Sequence, residues 1–136
     1  MRALVLALLL AGCANAPPPE LPAPVLPERA GVDPLVAARA EGIAFRAVGE
    51  GFVLDIFHED RIRLTLTATS EELIFPKPEP RYPAWNGSIY DTHNDKHGLY
   101  IEVRDDRPCE RGAPRVDLRL GRPGNAREFT GCGRSF

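Results

Sequence analysis

Residues 99–103, LYIEV, and residues 116–120, VDLRL, decide the fold, because in both runs every second residue is apolar. A period of two places Leu99, Ile101 and Val103 on one face of an extended chain and Tyr100 and Glu102 on the other. Each run is therefore expected to be a strand with one buried face. The same alternation occupies Phe52–Ile56 and Ile62–Leu66, and shorter candidates lie at Ala44–Val48, Leu73–Phe75, Trp85–Thr92 and Arg127–Cys132, for about eight strands in all. Connections such as HEDR at 58–61 and NDKHG at 94–98 are too short for the crossover of about a dozen residues or more that parallel pairing requires. The expected fold is all-β, an antiparallel sheet curled into a small barrel over residues 42–136.

Upstream of the strands, VDPLVAARAEG offers Asp33 as an N-cap, Pro34 at the first helical position and Gly42 as a stop, which predicts one short helix. Before it, prolines at 17, 18, 19, 22, 24 and 27 fix φ and remove backbone donors. That stretch reads as an extended, semi-rigid spacer rather than part of a core. The apolar run Ala3–Ala11 is less than half the length of the about 20 residues that cross a bilayer. Arg2 precedes it, and Ala11 and Gly12 lead into Cys13, the layout of an export signal with a small-residue cleavage site. Leu10-Ala11-Gly12-Cys13 reads as a bacterial lipobox, so residues 1–12 are expected to be removed and Cys13 acylated. Residues 13–41 would then hold the barrel off the membrane on an acyl anchor and a spacer. Ala14 is not an acidic retention residue, and the expected location is the outer membrane, facing the periplasm.

The chain has 136 residues with 17 basic and 19 acidic side chains, enough for one modest domain. No basic stripe marks a nucleic-acid footprint, and none is expected as a partner. With Cys13 assigned to lipid, Cys109 and Cys132 remain as an even pair in an oxidising compartment. A disulfide is the economical reading and two buried free thiols the alternative. Closing a loop of roughly 24 residues would contribute about 3.5 kcal/mol in the chain-entropy account.

Few residues suggest chemistry. In DTHNDKH, Asp91, His93, Asp95 and His97 recur at every second position, and their types suit a metal. Four alternate residues on a strand, however, spread over about 20 Å, and Asn94, Asp95 and Gly98 are turn formers. His93, Asp95 and His97 are thus kept only as a weak metal candidate beside a solvated hairpin, and no cofactor is expected. Tyr82, Trp85, Ser88 and Tyr90, interleaved with Pro83, Asn86 and Gly87, could form a binding rim; alternatively, Trp85 and Tyr90 plug the barrel. His58 sits beside Glu59 and Asp60, and Ser70, Ser88 and Ser135 lack a nucleophile-elbow setting. A non-catalytic module is therefore expected.

The segments WNGSIYDTHNDKHGLYIEV (85–103), Cys109, RVDLRL and FTGCGR resemble the C-terminal part of a family of poorly characterised bacterial envelope lipoproteins with a small β-barrel domain. The resemblance implies that Cys109 and Cys132 form a barrel-closing disulfide and that FRAVGEGFVLDI supplies the opening strands around a Gly-Glu turn. Departures are Phe52-Val53, where the family often has tryptophan, and the shorter loop ERGAPR after the first cysteine. A neighbouring group, the membrane-bound inhibitors of c-type lysozyme, is similar through NGSIY at 86–90. That similarity implies a second function, insertion of an exposed loop into a lysozyme cleft, with lysozyme or another envelope protein as partner.

Overall fold

The computed structural model describes residues 33–122 and 124–136. The segment expected to be a signal, Cys13 and the expected proline spacer lie outside the described residues. The alternating runs become eight strands: β1 (Ile43–Gly49), β2 (Phe52–Phe57), β3 (Arg61–Leu66), β4 (Glu71–Pro76), β5 (Gly87–His93), β6 (Gly98–Arg104), β7 (Arg115–Arg122) and β8 (Asn125–Ser135). All pair antiparallel in the order β4-β3-β2-β1-β8-β7-β6-β5. Two four-strand meanders are thus joined through their first and last strands, and the sheet curls into a half-barrel.

The expected barrel is not closed by a continuous ladder, since β4 and β5 are the sheet's two edges. Side chains span the seam instead: Thr92 Oγ1 donates to the Pro76 carbonyl at 2.7 Å and Asn94 Nδ2 donates to that of Ile74 at 3.1 Å. Pro76 ends β4 and Pro78 and Pro80 follow it. Proline has no N–H to offer, so Pro76, Pro78 and Pro80 give no donor to a further strand at this end of the edge.

The concave face is filled. Phe52, Leu54, Ile62, Leu64, Phe75, Ile101, Val116 and Leu118 are almost wholly buried in one cluster, with Phe45, Tyr90 and Phe129 packed against it. Removing each such side chain from water contributes about 1.5–3 kcal/mol. The β1–β8 pair makes room for the rings with bare backbone, as Ala47 lies opposite Gly133 and Gly49 opposite Gly131. A Cβ on Gly133 would lie 2.2 Å from the Phe45 ring, and one on Gly49 2.5 Å from the Phe52 ring. Gly131 is equally constrained, by the Val48 carbonyl at 2.5 Å.

The predicted helix is α1 (Pro34–Ala40), where Asp33 accepts from the Leu35 N–H at 2.9 Å. It lies on the convex face of β1 and β2. A register irregularity between Ile43 and Phe45 turns Ile43 outward, where it packs with Ala38 and Phe57 against Phe136. Beside this cluster Asp55 is 1 % exposed. Its carboxylate accepts from Arg46 Nε and Nη2 and from Arg63 Nε and Nη2, and Arg63 also reaches Glu41 just beyond α1. The Asp55 hydrogen bond raises the Arg46 pKa against the opposing effect of burial. Burial likewise opposes the charge of Arg63, but its hydrogen bonds to Asp55 and Glu41 outweigh it and raise that pKa as well.

Candidate functional site

With the core filled, two concavities lie at the ends of the sheet, and others lie over the convex face, among them one of about 480 Å³ beside His93, Tyr100 and Arg119. At one end the β2–β3, β4–β5 and β6–β7 connections meet around a cleft of about 380 Å³ whose walls include Phe45, Phe57, His58, Lys77, Ser88 and Tyr90. Strand β5 positions its share through alternation: Ser88, Tyr90 and Thr92 face inward opposite Val103, Ile101 and Leu99. Burial raises the Tyr90 pKa, the neighbouring Tyr82 phenol adds to this, and the Ser88 hydrogen bond works the other way. Tyr90 therefore stays a protonated hydroxyl donor. Lys77 is held at the cleft by donating from Nζ to the Phe57 and His58 carbonyls at 2.6 and 2.9 Å. A pair of hydroxyls and an ammonium set between aromatic walls can grip a polar group attached to an apolar body.

The four residues expected to form a rim do not share one surface. Ser88 and Tyr90 line the cleft, Tyr82 is 78 % exposed in the β4–β5 connection, and Trp85 lies on the convex face. There the Arg104 guanidinium stacks over the Trp85 ring at 4.2 Å, and a Cβ on Gly87 would lie 2.6 Å from that ring. Trp85 therefore does not plug the barrel, whereas half-buried Tyr90 packs against the core. Phe45 and Lys77 were not expected in the cleft. Phe45 shares the inward parity of Ala47 on β1, and Lys77 reads in sequence as one residue of a proline-rich connection. The segment 86–90 is likewise not a projecting loop, because β5 begins at Gly87 and turns Ser88 and Tyr90 inward.

The DTHNDKH segment forms the end of β5 and a tight turn. Asn94 Oδ1 accepts from the Lys96 and His97 backbone N–H groups at 2.9 and 2.8 Å, an Asx-type turn. His93 and Asp95 are exposed, while His97 faces the opening at this end of the sheet. Among the described residues no three His, Cys, Asp or Glu side chains are grouped as metal ligands, so His93, Asp95 and His97 are not brought together.

Cys109 and Cys132 are disulfide-bonded, with Cα atoms 6.0 Å apart. The expectation that this bond closes the barrel is corrected. Cys109 lies in the β6–β7 connection and Cys132 on β8 opposite Arg115, so the bond pins a loop to the middle of the sheet, away from the β4–β5 seam. The neighbouring convex face carries a polar lattice. Arg104 pairs with Glu102 and Asp106, Arg115 with Asp117, and Thr130 Oγ1 donates to Asp117. The Arg104 hydrogen bond lowers the Asp106 pKa. Burial, then the hydrogen bond to Glu102, raises that of Tyr100. Comparison with protein-family models, with curated proteins and with solved structures finds no match for this chain.

Proposed function

We propose that this chain is an exported bacterial lipoprotein, acylated at Cys13, whose half-barrel is a non-catalytic binding module held off the outer membrane on the periplasmic side. The observation that carries the binding part is the filled concave face. Large apolar side chains from the strands occupy it, so a ligand has no room inside the half-barrel, and the opening built from Ser88, Tyr90 and Lys77 combines polar anchors with aromatic walls. The lipid anchor is supported by Leu10-Ala11-Gly12-Cys13 and the proline spacer. Resemblance to envelope lipoproteins points the same way. Inhibition of c-type lysozyme is the less favoured reading, because the segment it relies on enters strand β5.

Two measurements test the proposal. Fatty-acid labelling in a lipoprotein-processing bacterium should mark the wild-type chain and not Cys13→Ser; a labelled Cys13→Ser chain would overturn the anchor. A photo-crosslinking residue at Tyr82, beside the opening, should give a discrete adduct in the intact envelope, whereas one at exposed Val48 on the convex face should not. Absence of any adduct at Tyr82 would overturn the assignment of recognition to this opening. Stoichiometric inhibition of a c-type lysozyme by the full chain would replace it with the inhibitor function.

A further inference from the structure

At the opposite end of the sheet the inward-facing register runs one position past its apolar stretch in four strands and turns charged or polar. On β8 inward Phe129 is preceded by inward Arg127, and on β7 Leu120 is followed by Arg122. On β6 Leu99 is preceded by His97, and on β4 Leu73 is preceded by Glu71. With Lys96 these residues line a cleft of about 370 Å³. Arg127 faces inward opposite Leu120, yet at this end of the sheet it is exposed, as are Lys96, Arg122 and Glu71. The Arg127 guanidinium lies over the Phe129 ring at 5.2 Å, a cation–π contact that restrains the side chain.

Three cations and one carboxylate leave two positive charges in excess, counting His97 as neutral. Among the described residues none of Lys96, Arg122 or Arg127 forms an ion pair; on the convex face Arg46, Arg63, Arg104 and Arg115 do, and Arg119 and Arg134 do not. His97 is half-buried at the cleft, and its Nδ1 has no hydrogen-bond partner. The Asx turn at Asn94 holds the Lys96 and His97 backbone in place before any ligand arrives, which lowers the ordering cost of binding.

We propose that this cleft is an anion site for a phosphate dianion, either free or carried on a headgroup, with Arg127 and Arg122 as guanidinium forks, Lys96 as a point charge and His97 as a further donor. Glu71 lies across the cleft and restricts the site to ligands with enough charge to outweigh its repulsion. The proposal rests on the reading of the openings as recognition surfaces and names the ligand chemistry of one of them.

The test uses the full chain carrying Cys13→Ser, so that no acyl chain brings it to a bilayer and the outcome is independent of the anchor. Titration with inorganic phosphate, followed by NMR, should move the Lys96, His97, Arg122 and Arg127 signals saturably, the His97 ring nitrogen included. Arg127→Gln should weaken binding about tenfold or more while the rest of the spectrum stays in place, as befits loss of a charged hydrogen bond. Arg104→Gln, on the convex face, should leave binding unchanged. Vesicles of phosphatidylglycerol in phosphatidylcholine that compete for the same signals would identify a headgroup as the source, and vesicles that leave them unmoved would identify the free anion. No saturable shift, an equal shift at arginines over the whole surface, or an Arg127→Gln chain that binds like wild type would overturn the proposal.

Discussion

Replacing Asp55 by asparagine should be among the most costly single-atom changes in this domain. The carboxylate accepts four hydrogen bonds, with Oδ2 taking three of them, from Arg46 Nη2 at 3.0 Å and from Arg63 Nε and Nη2 at 3.1 and 2.6 Å. An asparagine fits the same volume, but whichever way its amide is turned the NH₂ group meets at least one guanidinium N–H. A donor then faces a donor, and two arginines lose their shared counter-charge. Removing one member of a buried ion pair costs about 3–5 kcal/mol. Asp55 itself is 2 % exposed in its side chain, but Arg46 and Arg63 retain 30 % and 22 % exposure, so water recovers part of the loss. The expected destabilisation is about 2–3 kcal/mol, or roughly 10–20 °C in Tm for a domain of this size. Urea unfolding followed by circular dichroism measures it directly. The chain in which Arg46, Asp55 and Arg63 become Met, Leu and Met should recover most of the loss, because three apolar groups leave no charge to desolvate. A loss below about 0.5 kcal/mol in Asp55→Asn would place the site among ordinary surface pairs and refute the reasoning.

Cys132→Ser should lower stability by about 3.5 kcal/mol, the chain-entropy value for this loop, with the loss read as a reductant-sensitive urea midpoint in wild type and a reductant-insensitive one in the variant. Gly133→Ala should cost about 1–3 kcal/mol through overlap with the Phe45 ring, and adding Phe45→Leu should restore part of it in the same unfolding assay. The raised pKa values of Tyr90 and Tyr100 mean that the folded chain holds these protons more tightly than the unfolded chain, whose phenols titrate near about 10. Their contribution to stability is therefore complete below about pH 10 and lost as the pH rises through the folded values, so urea midpoints should fall on that alkaline side. Tyr90→Phe with Tyr100→Phe should flatten that decline.

The alternation in FVLDI, RIRLTL, LYIEV and RVDLRL was enough to identify strands and their buried faces, and the Asp33-Pro34 pair was enough to start a helix. Both depend on neighbours a few residues apart. Asp55 shows the limit of that local view: the alternation places it on the polar face of β2, and so it is, but α1 and two arginines from adjacent strands bury it there. The opening at Tyr90 and Lys77 was half legible. Tyr90 and Ser88 stood out as polar residues near aromatics, yet the inward parity that separates them from Trp85 depends on where β5 starts. Arg122 and Arg127 carried no signal in sequence, because an arginine at a strand end reads as solvated until the register shows which face it takes.

By itself the sequence determined the all-β class, the number of strands, the helix with its cap, and the pair of cysteines available for a bond within the described domain, all consequences of short-range periodicity or of counting. Tertiary structure alone decided that β1 pairs with β8, that the seam lies between β4 and β5 under Thr92 and Asn94, that the disulfide pins a loop rather than the seam, and that Lys96, His97, Arg122 and Arg127 meet at one opening. Strand order and register are fixed by the joint burial of eight apolar faces around one core, and no local run of residues carries that sum.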